Sequence, residues 1–352
     1  MKQLSGLEYH QPLAEVLREF FDELEASLPP LSTKGQWALA TLKEYSLRPS
    51  KRIRGSIAAL LVDTAKGTTN DPAGLRLGAA IELIQNHLLI VDDVMDGSTM
   101  RRGAATAHIA YERDFPYARG REAEMVGILV GMIAQHASSL LLLAADAPAK
   151  NKQAALAILE RSTLITDIGQ IDDLDQQLGR EITTEVLLQK YAQKSSYYTF
   201  VAPIEAALAL VHGARAQHRK DAESYGLPAG VAFQLRDDYL GIYGDTSKTG
   251  KPNLDDIHEG KYTLMVHLAL QTADEPTKKA IQAIVGDHSA TEKELHKLRL
   301  LLEQTGGKNG ALQKGQQYAE EAKAAAHAAS SWGSAEAAIL ESIITFAMER
   351  EN

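Results

Sequence analysis

Apolar residues recur every three to four positions along almost the whole chain, the period of a helix that turns one face to a core. Over 13–24 they fall at 13, 16, 17, 20, 21 and 24. The same spacing predicts helices over 53–66, 72–96, 122–145, 151–177, 184–193, 196–213 and 219–243, then 261–272, 276–285, 291–304, 309–330 and 334–349. Alternating strand patterns are missing, and so are two-residue hairpin signals between β-branched runs. Most of the eleven prolines fall at expected helix starts or in loops. No repeat and no convincing linker divides the chain. The expectation is therefore all-α, a single domain over 1–352 built as a large antiparallel helix bundle.

Against this pattern one stretch stands out. The apolar run 82–91 ends in three carboxylates, Asp92, Asp93 and Asp96, followed by Arg101 and Arg102. At about 100° per residue, Asp92 and Asp96 share a helix face and Asp93 flanks them. Like charges at that spacing repel, and a bound cation removes the repulsion. Oxygen ligands without Cys or His favour Mg²⁺ or a similar hard ion. A second acidic pair, Asp237 and Asp238, again ends an apolar helical run, with Gly241 four residues after Asp237. Two such clusters on inner helix faces suit a metal site in a bundle core. Cations complete the picture: Lys51 and Arg54, expected on one helical face, with Lys194, Lys251 and Lys261. Carboxylates for metal beside Arg and Lys for oxyanions describe a phosphate or diphosphate site.

Composition narrows the options. The 352 residues are 45% hydrophobic and 24% charged, as in soluble globular proteins, and contain no Cys. Disulfides, thiolate nucleophiles and Cys-zinc sites are excluded. A net charge of −9 speaks against nucleic-acid partners. The first residues lack a secretory apolar core, and no 18 apolar residues run uninterrupted, so no membrane span and a cytoplasmic location are expected. The segment 244–251 has one residue too many for a Walker loop, no GxGxxG occurs, and no two histidines sit four apart.

These motifs, in this order from Lys51 to Thr263, resemble the trans-isoprenyl diphosphate synthases, the prenyl chain-elongation enzymes that include farnesyl and geranylgeranyl diphosphate synthases. The resemblance implies an isoprenoid-synthase bundle with a central apolar cavity, and a homodimer. It implies about three Mg²⁺ ions per site, held by Asp92, Asp93, Asp96, Asp237 and Asp238. Isopentenyl diphosphate would bind Lys51, Arg54, Gln85 and Arg102; the allylic diphosphate would bind Arg101, Lys194, Lys251 and Lys261. Ser195 and Gln234 would lie near the allylic cation, and Gln170 and Asp173 match a further family motif. Asp92, Asp96, Arg101, Lys194 and Asp237 would carry the catalysis. Two departures stand out: Gly241 replaces the last acid of the second motif, and the C-terminus lacks the basic tail of some relatives. Product length is expected to be read at Ile84, His87 and Leu88, with geranylgeranyl diphosphate favoured and farnesyl diphosphate next. A class I terpene cyclase is disfavoured by Asp237, Asp238, Lys51 and Arg54. A non-catalytic subunit is disfavoured because both acidic motifs are kept.

Overall fold

The computed structural model describes residues 9–176, 182–244 and 253–350, with the side chains of 172–176 left aside. The described residues are helical almost throughout. They cluster into two compact units, one of residues up to Arg161 with Ala202–Arg219, the other of Ser162–Val201 with Lys220 onward.

The first unit is built on α4 (Pro72–Met95), whose interior face of Leu77, Ala80, Ile81, Leu83, Ile84 and Ile90 is buried. Asp71 caps its start by accepting the N–H groups of Ala73 and Gly74, and Pro72 occupies the first turn, where its missing N–H costs nothing. Helices α1 (His10–Ser27), α3 (Ile53–Lys66), α6 (Arg121–Leu143) and α9 (Ala202–His212) pack against it.

Two helices in this unit were not legible as periodic stripes: α2 (Thr33–Leu47) and α5 (Ala107–Asp114). Their partnership explains them. Trp37 of α2 lies edge-on to Tyr111 of α5 at 4.9 Å, and its indole N–H donates to Asp114 at 2.9 Å. Tertiary contact, more than an apolar stripe, fixes both.

A two-stranded hairpin also departs from the strand-free expectation. β1 (Met100–Arg101) pairs antiparallel with β2 (Ala104–Ala105), and the turn residues Arg102 and Gly103 both have positive φ, 53° and 78°. That is the geometry of a tight two-residue turn.

In the second unit, α7 (Ala149–Gln176, its first part belonging to the first unit) and α8 (Thr184–Tyr191) precede a π-helical segment, Ala192–Val201. This segment lies against α10 (Ala216–Tyr243) at two glycines one turn apart. A Cβ on Gly230 would fall 2.3 Å from Ser196 Cα, and one on Gly226 would fall 2.9 Å from the Val201 nitrogen. Between them sits Pro228, a proline inside a helix where most prolines were expected at starts or loops. The Leu227 carbonyl beside it accepts from the Ser196 hydroxyl at 3.1 Å. The rest of the unit is α11 (Leu254–His258), α12 (Leu264–Thr272), α13 (Glu275–Gln282), α14 (Glu292–Gln304), α15 (Gly307–Ala328) and α16 (Ser334–Glu349). Leu264, Leu295, Leu298 and Leu302 are fully buried in its core, and Tyr225 donates to the Leu340 carbonyl at 2.8 Å, tying α10 to α16.

Gly230→Ala is expected to destabilise the protein by about 1–3 kcal/mol, an overpacking cost, because the new methyl meets backbone that cannot swing aside. Thermal or urea unfolding checks this; wild-type stability would contradict the close approach.

Candidate active site

In the first unit the acids and cations gather at the C-terminal end of α4. Asp92 and Asp96 are half-buried. Together with Gln85, Leu88 and Leu89, also half-buried, they form one stripe of α4, whereas Ile90 and Asp93 face inward.

Asp93 was expected among the metal ligands. Here it is fully buried, with Arg101 paired to one oxygen and the Tyr45 hydroxyl donating to the other at 3.2 Å. The physical reason is desolvation: a carboxylate removed from water needs charged or hydrogen-bonding partners on both oxygens. Burial pushes the Asp93 carboxyl up, opposed by Arg101. Burial also works against the Arg101 charge, but Asp93 outweighs it and holds the guanidinium above its ordinary value. Arg101, expected on the allylic diphosphate, is thus anchored through its Nε and one terminal nitrogen.

Arg48, which sequence reading missed, braces the hairpin. It donates to the Arg101 carbonyl at 3.0 Å and the Ala105 carbonyl at 2.9 Å, and its guanidinium lies 4.6 Å from the Tyr45 ring. Its bonds to backbone carbonyls leave no sequence signal beyond a charged residue.

Lys51 and Arg54 do not share a helical face as expected. Arg52 between them has φ +46°, so Lys51 precedes α3 and Arg54 lies in its first turn. A non-glycine residue in this region is strained and is held there by its surroundings; the Arg52 guanidinium donates to the Ser46 carbonyl at 2.8 Å. Glu82, 1% exposed, accepts the Gly55 N–H at 3.0 Å. It is the carboxylate that supports the charges of both Arg52 and Arg102, whose pKa values burial lowers. Arg102 also feels the repulsion of Arg54. Arg52 and Arg102 thus share one carboxylate, an arrangement that an added anion favours.

His87, considered for product length, leaves the Asp92 stripe: its Nδ1 lies 2.9 Å from the Gly131 carbonyl of α6. Leu88 stays on the stripe, and Ile84 is buried.

In the second unit Asp238 is the inward acid of its pair. It is 7% exposed and accepts from the Tyr191 hydroxyl and from Gln234 Nε2, the latter at 2.9 Å. Gln234 in turn accepts from the Ser195 hydroxyl at 2.7 Å, and the Tyr191 oxygen accepts the Leu264 N–H at 3.0 Å. Burial pushes the Asp238 carboxyl up to about 6, against those hydrogen bonds. Asp238, expected among the metal ligands, thus sits in an internal hydrogen-bond network, and Tyr191 was not foreseen. Asp237, its neighbour, has a 42% exposed side chain and pairs with Arg350.

Lys194 sits in the π-helical segment, half-buried, where a Cβ on Gly169 of α7 would come 2.8 Å from its nitrogen. π-Helical turns are frequent at functional sites because they re-aim side chains and carbonyls. Gln170, half-buried, lies on the next residue of α7. Lys261 holds two acids, Asp256 at 2.6 Å and Glu259 at 2.8 Å. Lys251 and the Asp173 side chain lie outside the described residues.

Gly241, where the resemblance expects an acid, lies against Asp256. A Cβ there would fall 1.8 Å from an oxygen of Asp256, so the space of the missing side chain belongs to Asp256, which Lys261 fixes.

Among the described residues no group of three or more His, Cys, Asp or Glu is gathered to hold a metal by itself. The donors nonetheless fit Mg²⁺. Asp92 and Asp96 lie at a helix C-terminus, where the dipole opposes negative charge and a cation is favoured. They offer only oxygen, and Mg²⁺ commonly uses one or two carboxylates with water and phosphate oxygens.

Gly241→Asp, which restores the motif on paper, is expected to destabilise the protein by about 1–3 kcal/mol through this clash. Unchanged thermal stability would show that Asp256 does not own the space.

A family described as polyprenyl synthetase matches residues 36–302. A short chain isoprenyl diphosphate synthase of Methanothermobacter thermautotrophicus is 33% identical over 241 residues, 67% of this chain and 68% of that one. A geranylgeranyl diphosphate synthase of Sulfolobus acidocaldarius is 31% identical over 70% of each chain. The solved geranylgeranyl pyrophosphate synthase of Corynebacterium glutamicum, complexed with isoprenyl diphosphate and magnesium, superposes with a TM-score of 0.88 at 27% identity, covering 97% of this chain and 99% of that one. Sequence and fold agree over most of the length, and the chain belongs to the polyprenyl synthetase family.

Proposed function

We propose that this prenyltransferase condenses isopentenyl diphosphate with an allylic diphosphate and releases geranylgeranyl diphosphate, with farnesyl diphosphate the second reading. The observation that carries the proposal is that buried Arg52 and half-buried Arg102 share the support of the one carboxylate of Glu82, in the same unit as the half-buried Asp92 and Asp96. That combination suits a diphosphate beside a divalent ion. The names of the relatives support the product assignment.

Magnesium, when bound, acts as a Lewis acid on the diphosphate leaving group. Asp92, Asp96 and Asp237 are the acids proposed to hold it, and three ions per site are proposed. Arg101 and Lys194 face growing negative charge with preorganised positive charge, which favours the transition state over the ground state. Lys51, Arg54, Gln85 and Arg102 orient isopentenyl diphosphate. Ser195 and Gln234, already bonded to each other, present fixed dipoles that do not attack an allylic cation. The growing chain runs along Leu88 on the Asp92 stripe, and His87 is not its floor.

Homodimerisation through α6 is part of the proposal. Met125, Ile128, Leu129, Met132, Leu140 and Leu143 are exposed along one helical stripe, as at obligate interfaces. By length and composition this helix is apolar enough to span a membrane. Its opposite face, however, buries Val130, Ala134, Ala137 and Leu141 within the unit, and we read it as a core helix of a cytoplasmic enzyme. We also take 1–352 as one domain, because neither compact unit is a continuous stretch of chain.

Asp92→Ala is expected to lower turnover about 100-fold or more at saturating Mg²⁺ while far-ultraviolet circular dichroism stays unchanged. An activity near wild type would remove Asp92 from the metal site. With isopentenyl and dimethylallyl diphosphates, Leu88→Phe is expected to shift products toward farnesyl diphosphate, whereas His87→Ala leaves their length unchanged. Chromatographic sizing of the products decides between the two positions.

A further inference from the structure

The C-terminal end of α16 is fastened to α10 beside the second acidic pair. Arg350, 7% exposed, pairs through one terminal nitrogen with Asp237 and donates to the Phe233 carbonyl at 3.3 Å. Its guanidinium lies 3.9 Å from the centre of the Phe233 ring. Arg236 completes the fastening from the other side, its Nε donating to the Arg350 carbonyl at 3.1 Å. One cation, Arg350, is thus seated on the acid proposed for magnesium.

A guanidinium and a divalent ion drawn to one carboxylate repel each other, so the two cations compete for the charge of Asp237 although Arg350 takes only one of its oxygens. We propose that Arg350 is an internal counter-ion that occupies Asp237 in the metal-free enzyme and yields it to Mg²⁺, so that metal loading loosens the end of α16. The proposal rests on Asp237 as a magnesium ligand. Its logic is competition between two cations for one acid. Without metal, Arg350 relieves the charge of Asp237 and stacks on Phe233, so the empty site is stable. With metal, that interaction is lost, and part of the metal's binding free energy goes to displacing it. Linkage requires reciprocity: whatever weakens the Arg350 contact tightens Mg²⁺ binding, and Mg²⁺ weakens the contact by the same factor.

The test compares full-length wild type, Arg350→Gln and Asp237→Ala, titrated with Mg²⁺ in the presence of inorganic pyrophosphate. The thermal unfolding midpoint reports binding, and activity is not needed. Arg350→Gln is expected to melt lower than wild type in chelator and to reach half its Mg²⁺-induced shift at about five-fold lower metal concentration or less. An unchanged or higher metal requirement overturns the proposal. Hydrogen exchange of wild type supplies a second reading that needs no variant to fold. The Arg350 amide, bonded to the Phe346 carbonyl at 3.0 Å, is expected to exchange faster with Mg²⁺ and pyrophosphate than in chelator; equal or slower exchange overturns the proposal as well. Asp237→Ala separates the two layers of the argument. If it keeps the wild-type Mg²⁺ response, Asp237 is not a ligand and the underlying assignment fails. If it loses that response while Arg350→Gln behaves as wild type, the assignment stands and the counter-ion role falls.

Discussion

A charge taken out of water must be matched where it sits, and this constraint shapes both acidic motifs. In each pair the second aspartate is the buried one. Asp93 is matched by Arg101 and Tyr45, and Asp238 by Tyr191 and Gln234. Removing one partner from such a group leaves an uncompensated charge, which costs far more than the pair contributes. The buried aspartate therefore fixes the rotation of its helix end, and the neighbouring aspartate, Asp92 or Asp237, is held toward the less buried side. Adjacent acids that read alike in the sequence divide into one that is buried and matched and one nearer the solvent.

The same constraint organises the cations. Arg101 reaches Asp93 because the hairpin turns back over the end of α4, and the hairpin keeps its shape because Arg48 holds two of its carbonyls. Arg52 adopts a left-handed backbone and separates Lys51 from α3, while Glu82 supports the arginines around it. These are short-range arrangements of long side chains on irregular backbone, set at the ends of regular helices. The regular helices supply rigidity; the irregular links aim the charges.

That division also explains what was legible in the sequence. The all-α class followed from the apolar period, and so did the bounds of α3 and, to within one residue, of α4. Asp92, Asp96 and the cation set stood out because charge at the end of an apolar run is unusual. Other features left no local trace. α2 and α5 depend on Trp37 meeting Tyr111, a contact between residues far apart in sequence. The burial of Asp93 and Asp238 depends on partners elsewhere in the chain, so a motif written as a string could not assign it. The approach of Asp256 to Gly241 depends on a helix that begins thirteen residues later, at Leu254. His87 and Leu88 are neighbours in sequence, yet 100° of helical rotation sends one to the α6 carbonyl and leaves the other on the Asp92 stripe.

The hydroxyl of Tyr191 has a consequence of its own. Its oxygen takes the Leu264 N–H at the first residue of α12, and its hydrogen goes to Asp238. A phenolic rotor with both roles assigned has one orientation left, so its torsional freedom is removed before any substrate arrives. The start of one helix and a carboxylate on another then move as a single mechanical piece, joined through one atom.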